Sequence, residues 1–114
     1  MEKENVILKL SFEFALEIVS YTRVLETQKQ FNLANQLFRS GTSIGANVRE
    51  AQGAESRSDF KHKMKIAYKE AEETAYWFEL CKQSEHLPDP PEKLFEMLNS
   101  IRRLLGKIIT TSSI

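Results

Sequence analysis

The sequence predicts an all-α protein, an antiparallel up-down-up-down four-helix bundle, and three observations predict it. Apolar and small residues recur at alternating steps of three and four almost throughout the chain. Glycine and proline are scarce, and charged residues make up 28% of the 114 positions, a composition suited to long helices with solvated outer faces. The breaks between the periodic segments are short, and short connections between long helices make neighbours antiparallel. One domain over residues 1–114 is expected.

The first segment places Ile7, Ser11, Phe14, Ile18, Tyr21 and Leu25 on one seam. The second places Leu33, Leu37, Ser40, Ile44, Asn47, Ala51 and Ala54 there. The third contributes Phe60, Met64, Ala67, Ala71, Thr74, Phe78 and Cys81, and the fourth Leu94, Leu98, Ile101, Leu105 and Ile108. Such seams suit helices packed at small crossing angles. Asn32 is expected to cap the second helix. Ser58 is expected to cap the third, with Asp59 in its first turn. Pro88, Pro90 and Pro91 stop the third helix, and Pro91 suits the first turn of the fourth.

A second apolar stripe flanks the seam in three helices. It comprises Phe12, Ala15, Leu16 and Val19 in the first, Ile66, Tyr76, Trp77 and Leu80 in the third, and Phe95, Met97, Leu104 and Ile109 in the fourth. One bundle core needs one stripe per helix. The surplus is expected to form a second interface, between subunits of a homo-oligomer; a wide core face with scattered surface apolar residues is the other reading.

The second helix carries a mid-helix run of small residues. Gly41 and Gly45 lie one turn apart and share a face, so they are expected to let another helix approach closely. A phosphate-binding loop is the other reading, against which stands the lack of both the Gly-x-x-x-x-Gly-Lys pattern and a preceding strand. Ser43, Asn47, Glu50, Glu70, Glu73 and Thr74 occupy or flank the seam and are expected to form a structural polar network, since buried polar groups must be bonded. An acid/base site is the other reading of these carboxylates. No nucleophile or metal cluster accompanies them in sequence.

Catalytic, metal and cofactor sites are not expected. The two histidines, His62 and His86, sit on separate segments without paired Glu-x-x-His motifs. Cys81, the single cysteine, falls on the seam as a small core residue, and a chain without a disulfide suits a reducing compartment. Met1–Asn5 is charged, and no run of residues is long and apolar enough to span a membrane, so a cytoplasmic protein is expected.

Net charge is zero, but it is unevenly spread. From Arg57 to Lys69 five basic side chains face Asp59 alone; from Glu70 to Glu96 eight acids face two lysines. Antiparallel folding brings the basic start of the third helix to the end of the fourth. Arg49, Arg57, Lys61, Lys63, Lys65, Lys69, Arg102, Arg103 and Lys107 are therefore expected to form a basic pole for RNA, DNA or an acidic partner. Ordinary solvated charge is the other reading.

The runs Ser43-Ile44-Gly45-Ala46-Asn47-Val48-Arg49-Glu50-Ala51, Ser58-Asp59-Phe60, Lys63-Met64-Lys65-Ile66-Ala67-Tyr68-Lys69-Glu70-Ala71 and Glu73-Thr74-Ala75-Tyr76-Trp77-Phe78 resemble one family. It comprises the bacterial four-helix-bundle proteins encoded in intervening sequences of large-subunit ribosomal RNA genes, the S23 ribosomal protein type. The resemblance runs from Phe14-Ala15 to Ile108-Ile109. It implies a homopentamer, and kinship with the accessory variability protein of diversity-generating retroelements, a basic pentameric barrel that binds reverse transcriptase and nucleic acid. The expected function is a non-enzymatic oligomeric interaction module binding RNA or DNA at its basic pole. The alternative is a scaffold ring for a protein partner such as a retroelement reverse transcriptase.

Overall fold

The computed structural model describes residues 5–111, so the charged segment Met1–Glu4 lies outside the described residues. Four helices follow one another: α1 (Val6–Thr27), α2 (Phe31–Ala51), α3 (Arg57–Gln83) and α4 (Glu92–Thr111). Each packs on its chain neighbours, and α1 closes the bundle against α4. This is the antiparallel square that the short connections dictate. The longest helix, α3, spans about 40 Å, close to the 45 Å long axis of the molecule.

The predicted seams make the core. Phe14, Ile18 and Leu25 of α1 are wholly buried, as are Leu37 and Ile44 of α2, Met64 and Phe78 of α3, and Ile101 and Leu105 of α4. Phe14 and Phe78 meet across the bundle with ring centroids 6.4 Å apart, and Phe78 meets Phe95 at 5.2 Å. Fully burying one such side chain is worth about 1.5–3 kcal/mol. Where the expected seam of α2 reaches Asn47, the buried residue is Val48. Both fit a step of three or four, and the chain buries the side chain that needs no partner. Asn47 is half-buried, and its amide donates to the Ser43 carbonyl at 2.9 Å. Ala54 lies beyond the end of α2.

The helix starts differ from expectation by one or two residues. Gln30, not Asn32, occupies the cap position of α2, without a side-chain cap bond. Ser56, not Ser58, caps α3, its hydroxyl accepting from the Asp59 amide at 3.0 Å. Ser56 is the serine in extended backbone, which is what lets a side chain turn back on the first turn. Pro91 immediately precedes α4.

Two tight features fix α1 against α2. A side chain at Gly41 would place its Cβ 2.9 Å from Cγ1 of Ile18, and one at Gly45 would place it 3.1 Å from the Ser11 carbonyl oxygen. The missing Cβ lets the α1 backbone approach closely at Gly45 and lets the Ile18 side chain fill the space at Gly41. The turn between the helices ends α1 in a Schellman arrangement. Lys29, at φ 61°, donates to the Glu26 carbonyl, and Gln30 donates to that of Leu25.

Candidate nucleic-acid interface

The basic half of α3 runs beside the last turns of α4, as the antiparallel topology requires. Between them lies an open groove of about 540 Å³ lined by Tyr68 of α3 and by Asn99, Arg102, Arg103, Gly106, Lys107 and Thr110 of α4. Every charged side chain in that lining is cationic. Lys65 and Lys61 precede Tyr68 by three and seven residues, so they continue its face toward the start of α3. One end of the groove is held by Arg102, whose Nε donates to Glu72 at 2.6 Å. Arg103 reaches Ser100 Oγ at 3.4 Å. Neither Arg103 nor Lys107 makes an ion pair among the described residues.

The nine basic residues expected at one pole are therefore brought together only in part. Arg102, Arg103 and Lys107 share the groove. Arg57, Lys65 and Lys69 are exposed along the same half of α3, and Lys61 is half-buried. Lys63 turns to α2, where its ammonium meets Glu50 at 3.1 Å. Arg49 lies on the α1–α2 side, its guanidinium 5.5 Å from the centroid of the Phe12 ring. Toward the other end the groove continues between α3 and α4 as a pocket of about 400 Å³ with mixed charge, including Glu72, Glu79, Lys82 and Arg102.

The six residues expected in one polar network fall into separate sets. In the core, the Thr74 hydroxyl lies 2.9 Å from Ser40 Oγ and 2.8 Å from the Glu70 carbonyl. On the α2–α3 surface, Arg39 pairs with Glu70 at 3.4 Å and with Glu73, whose carboxylate also accepts from the indole of Trp77 at 3.1 Å. Ser43 and Asn47 bond back along α2, and Glu50 goes to Lys63. Arg39, which organises the surface set, carries no signal in the sequence. It stands 31 and 34 residues from its partners, and only the register of α2 on α3 joins them. No group of three or more His, Cys, Asp or Glu side chains able to hold a metal lies among the described residues. Burial pushes the Cys81 thiol up, which disfavours the thiolate a nucleophile needs.

The second apolar stripe divides. Phe12, Leu16 and Val19 of α1 are exposed, and so are Tyr76 and Leu80 of α3. Phe95, Met97, Leu104 and Ile109 of α4 are half-buried and pack on the core, so the stripe of α4 is the core's margin. Phe31 and Phe38 of α2 are additional exposed aromatics. Two sites with exposed apolar side chains result. One, on the α1–α2 side, sets Val19 and Phe38 beside Arg23, Glu26 and Asn35. The other, between α2 and α3, is a groove of about 480 Å³ lined by Phe31, Leu33, Trp77, Leu80 and Leu87 among others. No helix among the described residues is long and apolar enough to cross a membrane.

A family model described as "23S rRNA-intervening sequence protein" matches residues 3–107. Among solved structures, the chain is similar to a protein of unknown function from the S23 ribosomal protein family of Bacteroides thetaiotaomicron. The two are 44% identical with a TM-score of 0.81, over 92% of this chain and 99% of that one. No curated protein matches.

Proposed function

This chain belongs to the 23S rRNA-intervening sequence protein family, and on that premise we propose that it is a non-enzymatic, self-associating module that binds nucleic acid through its basic α3–α4 groove. The observation that carries the proposal is that every charged side chain lining that groove, Arg102, Arg103 and Lys107, is cationic, with Lys61 and Lys65 continuing along α3. Arg103 and Lys107, which make no ion pair among the described residues, stand beside one another and repel, and a polyanion that displaces their counterions relieves that repulsion.

Self-association is supported by exposed apolar side chains on two different sides of the bundle, Phe12, Leu16, Val19 and Phe38 on one and Phe31 and Leu80 on the other. A two-fold dimer uses one patch twice, whereas two unlike patches suit a head-to-tail contact, which closes into a ring when the rotation permits. The family resemblance implies five subunits. A ring would gather the basic ends of its subunits and multiply the field each presents. The Phe31–Trp77–Leu80–Leu87 groove favours a second reading, in which it docks a protein partner in place of a neighbouring subunit and the assembly serves as a scaffold.

The test joins light scattering after size-exclusion chromatography to an RNA titration at several salt concentrations. The proposal expects an oligomer that resists salt, and an RNA affinity falling steeply and linearly in log–log form as salt rises. A monomer at all salts overturns the self-association. RNA binding that is absent at low salt overturns the nucleic-acid role and leaves the scaffold reading.

A further inference from the structure

We infer that the α3–α4 groove is built for a single strand, with Tyr68 as the stacking platform for a base and Gly106 as the gap that admits it. The inference rests on the nucleic-acid reading above and narrows it to one substrate class.

Three observations on the same few residues carry it. Tyr68 is the one aromatic side chain lining the groove, half-buried and held against the core, so its ring is oriented before any ligand arrives. Single-strand binding combines such a ring with cations that track the phosphates. Arg103 and Lys107 stand one helical turn apart on α4, with Cβ atoms about 5–6 Å from each other, and so can hold successive phosphates of an extended strand.

Gly106 lies between them. Among the described residues a Cβ there would meet no neighbouring element within 4 Å, whereas at Gly41 and Gly45 it would run into α1. The bundle therefore has no packing use for a glycine at this position, where it costs α4 about 1 kcal/mol of helix stability. What the missing side chain provides is room beside Tyr68. A base can lie on the Tyr68 ring only when it is out of its own stack, as in a single strand, whereas the bases of a duplex stay stacked on one another.

The test measures fluorescence anisotropy of short labelled oligouridylate, oligothymidylate and an RNA hairpin of equal phosphate count on the full chain. The expected result is single strands bound at least about tenfold tighter than the hairpin, with Tyr68→Leu weakening them about tenfold and Tyr68→Phe retaining them. Gly106→Leu weakens single-strand binding similarly while its melting temperature stays at or above that of the parent, because the new side chain enters open space. Arg103→Ala and Lys107→Ala each leave one phosphate without its cation, and each lowers the salt slope by about 0.7. The RNA and DNA arms separate a shared strand chemistry from use of the 2′-hydroxyl.

Equal affinity for hairpin and single strands, or full affinity in Gly106→Leu while Arg103→Ala still weakens binding, overturns the single-strand groove and leaves the basic end as a general polyanion site. Absence of salt-dependent binding to every probe overturns both.

Discussion

Gly45 of α2 sits so close to Ser11 of α1 that a Cβ at this position would lie 3.1 Å from the Ser11 carbonyl oxygen and 3.5 Å from its hydroxyl. A backbone oxygen cannot rotate away as a side chain can. The same substitution is therefore expected to give opposite results along the chain. Gly45→Ala should lower stability by about 1–2 kcal/mol despite its better helix propensity, and Gly45→Leu should prevent folding. Gly41→Ala should also destabilise, since its Cβ meets the branched, wholly buried Ile18. Gly106→Ala should stabilise by about 1 kcal/mol. Urea denaturation of the three alanine variants reads all of this; a stabilised Gly45→Ala would refute close helix approach at that point.

Ser40 and Thr74 form a buried side-chain hydrogen bond between α2 and α3. Thr74→Val leaves the Ser40 hydroxyl in the core without that partner and should cost about 1–3 kcal/mol. Ser40→Ala should cost less, because Thr74 keeps the Glu70 carbonyl. The double variant should be more stable than the sum of the two losses predicts. Strict additivity in a double-mutant cycle would mean that the two hydroxyls do not interact.

Tyr21 gives the bundle an alkaline limit. It is only 8% exposed, and its hydroxyl is buried without a hydrogen-bond partner among the described residues. Burial, reinforced by Cys81 and Asp89, pushes its pKa up to about 12. The folded state thus favours the neutral phenol more than the unfolded state does. The resulting stability is fully present below about pH 10, the ordinary tyrosine value, and is lost as pH rises toward 12. The loss amounts to about 2 kcal/mol. Tyr21→Phe should leave stability at pH 7 unchanged or higher and should flatten the fall between pH 10 and 12. An identical alkaline profile in parent and variant would assign the fall to other groups.

Lys29 holds the left-handed position that ends α1, at φ 61°. A side chain there costs roughly 1–2 kcal/mol relative to right-handed helix, and glycine escapes that cost at some loss of unfolded-state entropy. Lys29→Gly should raise stability by about 0.5–1 kcal/mol, and Lys29→Ala should not. Thermal denaturation of the two variants, compared at equal protein concentration, decides it.

Much of the fold was legible in the sequence because a seam is a one-dimensional signal. The spacing of Phe14, Ile18, Leu37, Ile44, Phe78 and Leu105 names a face wherever the helices lie, and all six are wholly buried. The departures arose where that signal is degenerate. Asn47 and Val48 satisfy the same periodicity, and the cost of burying an amide chose between them. Ser56 and Ser58 are both plausible caps, and backbone conformation chose Ser56. The site was less legible. The charge asymmetry of α3 announced a basic end, but periodicity is silent on which cations are already paired.

By itself, then, the sequence determined the class, the helix order, the core and the polarity of charge along α3, all of which follow from spacing along one chain. Only the tertiary structure decided that Lys63 and Arg102 have acidic partners while, among the described residues, Arg103 and Lys107 do not. It also decided that the apolar stripe of α4 joins the core while Phe12, Leu16 and Val19 of α1 stay exposed, and that a Cβ at Gly41 or Gly45 would meet another helix while one at Gly106 would meet none among the described residues. The reason is common to all three. Pairing, burial and clearance depend on which residues of one helix stand opposite those of another, and that register is set by packing between segments.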